Sequence, residues 1–287
     1  MTMRLLRLVT TSIMALGAIA VAPQDIEPAA GTAPDHALVG APFEVTAFNI
    51  CSLNCSDGSI PTGGQFTNFG LVPANELIVL AEAYDWPRVI ALNEVCGQTA
   101  WSLTAELPAG LYAASYYVSA RRPDAGCALY GNWVAVRTGD IPATRSTEVH
   151  YYWDGGTPPP GDDTSENRGG PCLRSFIYLE QTWGCSAHLA TSSQATTLLS
   201  WANTQFGTTP QLMLGDFNLE PGTGPITSWD NSNRNDVFAA IPVTFEGTAK
   251  HFDYGWGHQT ALEFVPLATA HQSASDHHQL WGDVRFR

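Results

Sequence analysis

From residue 42 onward, apolar positions fall into short runs that switch between two periods. Phe43–Ile50 is strand-like, and Arg88–Leu92 and Gln211–Leu214 are brief apolar runs, the pattern of buried strands. Ala74–Tyr84 repeats apolar residues at helical spacing, with Pro73 near its start, and Ser193–Phe206 does so through Leu198, Leu199 and Trp201. Thr99–Leu107 is predicted as a further helix and Gly131–Arg137 as a strand of mixed apolar character. Leu173–Gln181 and Trp183–Leu189 read as strands joined by a short turn, and His251–Trp256, Ala261–Pro266 and Gln279–Phe286 as closing strands. Asp154–Gly170, dense in Gly, Pro, Asp and Asn, predicts a long surface loop. Strands and helices interleave without the regular alternation of a parallel barrel, which is compatible with an α+β domain. No repeat or second linker divides residues 41–287, so they are expected to form one domain.

The N-terminus has another character. Residues 1–22 read as a secretory signal peptide: Arg4 and Arg7 precede an Ala-rich apolar stretch that ends in small residues. Ala18-Ile19-Ala20 and Ala20-Val21-Ala22 both fit the small-x-small cleavage pattern. A membrane anchor is the rival reading, opposed by the shortness of the run and its interruption at Thr10, Thr11 and Ser12. Residues 23–40, rich in Ala, Pro and Gly, read as a linker. The expectation is a secreted, extracellular monomer with no integral membrane segment after signal cleavage.

Six cysteines agree with export: Cys51, Cys55, Cys96, Cys127, Cys172 and Cys185. An even count in an exported chain suggests three disulfides, and many pairings are open. Cys172 and Cys185 flank the two strand-like runs, so a bridge across neighbouring strands is one reading. Cys51 with Cys55 would close a small loop and leave Cys96 with Cys127. A zinc site is the rival, and it lacks the paired CxxC spacing.

Composition narrows the classes. The 287 residues are 44% hydrophobic and 14% charged, against about 25% charged in average proteins, which excludes disorder over most of the length. The formal net charge is −14 and Lys250 is the single lysine, so a basic face binding nucleic acid by charge alone is not expected. Cationic contacts must come mostly from Arg, with Arg121, Arg122 and Arg137 as candidates.

In a chain so sparing with charge, the placement of polar residues is informative. Asn49 follows Val45-Thr46-Ala47-Phe48, Glu94 follows Val89-Ile90-Ala91-Leu92-Asn93, and His188 ends Trp183 to Ala187. Asp216 and Asn218 follow Leu212-Met213-Leu214-Gly215, Asp253 lies within His251-Phe252-Asp253-Tyr254, and Asp276 and His277 precede the last strand. Each alone fits a solvated strand end, a structural histidine or an ordinary turn.

Their joint order resembles the endonuclease/exonuclease/phosphatase superfamily, the deoxyribonuclease I-like proteins, over nearly all of residues 43–287. Thr46-Ala47-Phe48-Asn49-Ile50 is similar to its first motif, and Ile90-Ala91-Leu92-Asn93-Glu94-Val95 to its second, with Asn93 in a position usually held by Gln. Ser186-Ala187-His188-Leu189, Gly215-Asp216-Phe217-Asn218, Phe252-Asp253-Tyr254 and Ser275-Asp276-His277 resemble the remaining motifs, with His251 where a basic residue is common. The resemblance implies a four-layer α/β/β/α sandwich of two packed mixed β-sheets, with motif residues converging on one edge.

It also implies hydrolysis of phosphate esters with a divalent cation, Mg²⁺ in the first instance and Mn²⁺ or Ca²⁺ as alternatives. Glu94 is the implied direct metal ligand, with Asn49 and Asp276 completing that region. His277 would take a proton from the attacking water while Asp253 fixes its ring. His188 would hydrogen-bond a phosphoryl oxygen or protonate the leaving group, Asp216 would orient the water, and Asn218 would donate to the phosphate. Arg168, in Glu166-Asn167-Arg168-Gly169-Gly170, is a candidate substrate contact, with a structural ion pair as its alternative. His278, adjacent to His277, is expected to point away and be structural.

The substrate is expected to be a phosphodiester, either nucleic acid or phospholipid. An extracellular nuclease is the first reading. A phospholipid phosphodiesterase of the sphingomyelinase type is the second, with Tyr151-Tyr152-Trp153 as the candidate membrane patch. A non-catalytic binding protein on the same scaffold is the third.

Overall fold

The computed structural model describes residues 41–50, 71–122, 127–138, 147–152, 168–178, 180–246, 249–271 and 275–287. Residues 1–40, read from sequence as signal and linker, lie outside these residues, as do Cys51, Cys55, Trp153 and most of the Gly/Pro-rich loop. Strands β1 (Phe43–Asn49), β2 (Val89–Cys96), β3 (Tyr112–Arg122), β4 (Cys127–Arg137), β11 (Leu262–His271) and β12 (Gln279–Phe286) form one sheet in the order β11-β12-β1-β2-β4-β3. Strands β5 (Thr147–Tyr152), β6 (Gly169–Ile177), β7 (Glu180–His188), β8 (Gln211–Asp216), β9 (Arg234–Asp236) and β10 (Asp253–His258) form the other in the order β5-β6-β7-β8-β10-β9. β1 runs parallel to β2 and β7 parallel to β8, while the other pairs are antiparallel, so both sheets are mixed.

The apolar runs follow from burial on two faces. Along β2, Val89 and Ala91 enter the core between the sheets, while Ile90 and Leu92 pack in the outer cluster with α1 (Leu71–Ala83) and α2 (Gly97–Glu106). Along β8, Leu212 and Leu214 face inward, and Met213 faces α3 (Ser192–Phe206) and α4 (Gly224–Asp230). The period of two thus distributes one continuous run between two cores. The result is the four-layer sandwich expected.

Helix α3 begins in a capping box. Thr191 Oγ1 accepts from Gln194 N at 3.3 Å, and Gln194 Oε1 accepts from Thr191 N at 3.2 Å. Disulfides join Cys172 to Cys185, directly opposite each other in β6 and β7, and Cys96 to Cys127 at the ends of β2 and β4. No helix among the described residues is long and apolar enough to cross a membrane.

Several elements exceed the sequence expectation. β4 begins at Cys127 rather than Gly131, β11 runs on to His271, and the predicted loop ends early because Gly169 and Gly170 open β6. β3, β5, α4 and β9 were not expected at all.

Away from the motif residues, Glu44 on β1 stands opposite Asp283 on β12. Burial first, then Asp283 and Asp85, push its carboxyl from 4.5 up to about 7. The folded state therefore holds this proton more tightly than the unfolded chain. The destabilisation is absent below 4.5 and complete above about 7. Glu44→Gln should leave stability unchanged at low pH and raise it at alkaline pH. Solvent screening of a half-buried group reduces the gain to about 1 kcal/mol. Urea unfolding at both pH values checks the sign, and equal gains at both would contradict it.

Candidate active site

Topology brings the motif residues together. β1 and β2 are parallel with Asn49 opposite Asn93, so Asn49 and Glu94 leave the sheet at the same edge. β7 and β8 are parallel with His188 opposite Asp216, and antiparallel β10 starts at that edge with Asp253 opposite Asp216. The Ser275–His277 turn enters β12 from the same edge. Ser275 Oγ donates to Asn49 O at 2.7 Å and accepts from His277 N at 3.1 Å.

Glu94 adopts a left-handed backbone, φ 57°, where the register between β2 and β4 shifts. A regular strand would point it with Leu92 into the helix layer. The bulge instead turns its carboxylate to the edge, where Glu94 Oε1 accepts from Asn49 Nδ2 at 3.1 Å. The same Nδ2 lies 3.1 Å from Asp216 Oδ2. His188 Nε2 is 3.7 Å from Glu94 Oε1 and 3.6 Å from Asp216 Oδ2. His277 Nε2 is 3.7 Å from Asp216 Oδ2, and its Nδ1 is 2.8 Å from Asp253 Oδ2. Two overlapping groups, Glu94–His188–Asp216 and Asp216–Asp253–His277, therefore share Asp216.

Electrostatics divide these groups. Burial, Arg168 and His277 all lower the His188 pKa, so this ring is held neutral. Burial pushes Asp216 up to about 7, with His277 and the Asn218 amide opposing and Asp253 and Glu94 adding to the rise. Burial alone would lower His277, but Asp253, then Asp216 and Asp276, outweigh it and push the ring up to about 10.

The other candidates are placed as follows. Asn218, φ 52°, donates its backbone N–H to Asp216 Oδ1 at 2.8 Å and its amide to Asp216 Oδ2 at 3.0 Å and Leu189 O at 2.9 Å. Arg168 Nη1 lies against His188 Nε2. Asp276 is buried beside His277, outside the two groups sharing Asp216. His278 turns away to Glu246 Oε1 at 3.0 Å. His251 is engaged by Ile241 O at 2.6 Å and by Asp236 at 3.4 Å. Arg137 stands at the opposite end of the sandwich, where it donates to Asp85 O at 3.0 Å, so it is no neighbour of this edge. Arg121 is exposed on β3.

Thr244 had no sequence signal, yet its buried Oγ1 accepts from Phe252 N at 2.8 Å and Asp253 N at 3.0 Å. Asn132, buried within an apolar strand, could have been noticed as an unexpected polar residue.

No protein-family model matches the chain, and no curated protein matches it. Solved structures do. An endonuclease/exonuclease/phosphatase from Bacteroides vulgatus aligns with TM-score 0.64 at 12% identity, over 86% of this chain and 99% of that one. The catalytic domain of human Nocturnin with bound sulfate anion aligns with TM-score 0.61 at 19% identity, over 86% of this chain and 95% of its own. D. rerio TDP2 complexed with single-strand DNA product aligns with TM-score 0.58 at 12% identity, over 85% and 99% of the two chains. The fold of this chain is that of the endonuclease/exonuclease/phosphatase structures, the DNase I-like sandwich.

Proposed function

We propose that the chain is a secreted, divalent-metal-dependent hydrolase of phosphodiester bonds, and specifically a nuclease. The observation that carries this reading is the convergence of Asn49, Glu94, His188, Asp216, Asp253 and His277 at one largely buried sheet edge. Two disulfides support an oxidising compartment.

The donor set suits a hard cation. Glu94 and Asp216 would hold Mg²⁺, with the Asn49 amide turned over so that its oxygen joins them, and Mn²⁺ or Ca²⁺ would suit the same oxygens. Asp276 adds negative charge to the region. Bound there, the ion would polarise the phosphoryl oxygens. The protein's own residues do the rest. Asp253 holds the His277 ring through Nδ1, which leaves Nε2 facing Asp216 to exchange a proton with the attacking water. His188, kept neutral, and the guanidinium of Arg168 would hydrogen-bond the phosphate. Asn218 supports Asp216 from below and stands at the mouth of the next feature.

That feature favours nucleic acid. An open groove of about 530 Å³ begins at Asn218 and passes Leu219, Glu220, Lys250 and Phe252. The Phe252 ring lies 5.5 Å from Phe245, which lies 4.8 Å from the His277 ring. An aromatic face beside the site would offer stacking to a base once Lys250, which lies over the Phe252 ring and pairs with Glu220, turned from them to a phosphate. The net charge of −14 argues for a short footprint.

Purified protein with Mg²⁺ should cleave plasmid DNA or RNA and bis(p-nitrophenyl) phosphate, and EDTA should lower the rate by at least ~100-fold. Hydrolysis of sphingomyelin liposomes without nucleic-acid cleavage would replace the nuclease reading with a lipid one. No hydrolysis with Mg²⁺, Mn²⁺ or Ca²⁺ would sink the enzymatic reading.

A further inference from the structure

We infer that Asn93 is a positioning residue whose buried amide locks the two sheets together behind the site and sets where Asp216 stands relative to Glu94. The inference rests on the hydrolytic reading above. Asn93 is fully buried. Its Oδ1 accepts from Asp216 N at 2.8 Å, and its Nδ2 donates to Asn132 Oδ1 and Ser186 Oγ, both at 3.1 Å. Ser186 Oγ donates to Leu92 O at 2.9 Å, and Asn132 Nδ2 donates to Gly169 O. The network draws on β2 and β4 in one sheet and on β6, β7 and β8 in the other. All members but Asn132 and Leu92 are, or closely adjoin, candidate site residues. Asn93 precedes Glu94, Gly169 follows Arg168, Ser186 stands two before His188, and Asp216 is held by its own backbone.

Apolar packing alone supplies cohesion between the sheets but does not fix their register at this point. The Asn93 amide does, because its oxygen and both its hydrogens have partners. The approach is close. A Cβ on Gly215, where φ is +138°, would lie 2.6 Å from Asn93 Oδ1 and 2.1 Å from Ala187 O. A Cβ on Gly170 would lie 1.7 Å from Ser186 O. The bare backbone at Gly215 lets a side chain as short as Asn span the gap between the sheets, and that at Gly170 lets β6 pack closely on β7. An apolar replacement leaves the Asp216 N–H buried without that acceptor, and a longer amide pushes Asp216 away from Glu94.

The test compares Asn93→Leu with Thr46→Val. Thr46 is equally buried on β1 and loses one hydrogen bond, Oγ1 to Leu280 O at 2.8 Å. Both variants should lose thermal stability. Only Asn93→Leu should lower kcat for bis(p-nitrophenyl) phosphate, by about 100-fold with KM within about threefold, since small misplacements of reacting groups cost that much. In metal-free protein, NMR should show the Asp216 amide exchanging at least ~10-fold faster in Asn93→Leu alone, and calorimetry should show Mn²⁺ binding weakened by a similar factor. These two readouts score the inference even if wild-type protein hydrolyses none of the substrates. Equal kcat losses in both variants, or unchanged Asp216 exchange, would make Asn93 merely structural and overturn it. If Asn93→Leu does not fold, Asn93→Gln decides, because it keeps every polar group. It should fold with kcat about tenfold down, and a wild-type kcat overturns the inference.

Discussion

Glu94→Gln is expected to lower kcat/KM for phosphodiester hydrolysis by about 10³-fold or more while the fold survives. The replacement is isosteric, and a Gln oxygen can still accept from Asn49 Nδ2, so the contact seen at 3.1 Å need not be lost. What disappears is the negative charge beside Asp216. With it goes half of the anionic pair that would attract and hold a hard cation. The variant should therefore require more Mg²⁺ to reach half its own maximal rate, as well as having a lower maximum. Glu94→Ala should show the same loss and also release the Asn49 amide. Circular dichroism and a Mg²⁺ titration of the rate make the measurement. Wild-type kinetics in either variant would remove Glu94 from the site.

Part of the Glu94 arrangement is legible in the sequence and part arises only from strand pairing. That a polar residue ends an apolar run was visible, because strands buried on two faces leave no other place for it. That Glu94 needs a left-handed backbone to reach Asn49 was not visible, since the bulge arises from pairing with β4. The same division holds elsewhere. The Cys172–Cys185 bridge followed from two adjacent strands, and the register places the two residues opposite each other. Cys96–Cys127 joins residues 31 apart, and only the pairing of β2 with β4 explains their meeting. Edge strand β3 was missed because its Ala and Ser residues dilute the apolar alternation. β9 and α4 were missed because three and seven residues carry too little period to register. Arg137 is in sequence a candidate substrate contact with a solvated surface charge as its alternative, and only topology puts it at the far end. Thr244 acts through a turn that brings it back to Phe252 and Asp253, so nothing local marks it, whereas Asn132 is marked only by being polar within an apolar strand.

Asp253→Asn is expected to lower kcat by about 10³- to 10⁴-fold with little change in KM, because it disturbs how His277 holds its proton. In the present arrangement Asp253 Oδ2 sits 2.8 Å from His277 Nδ1, which keeps a hydrogen on Nδ1 and directs Nε2 toward Asp216. An amide of the same shape can present its NH₂ group to Nδ1 instead. In the neutral ring, the form that a cation held by Glu94 and Asp216 would favour, that moves the hydrogen to Nε2, the atom that must accept a proton from water. The electrostatic consequence has the same origin. Burial lowers the His277 pKa and Asp253 is the largest of the groups raising it to about 10, so the Asn variant must titrate lower. Because the folded pKa exceeds the usual 6.5, the pair contributes stability that is complete below 6.5 and is lost as pH rises through about 10. Asp253→Asn should thus narrow the stability difference between neutral and strongly alkaline pH. An NMR titration of the His277 ring in metal-free protein, beside steady-state kinetics, reads both effects. A lowered ring pKa with undiminished kcat would separate the electrostatic pair from catalysis and would leave His277 a structural histidine.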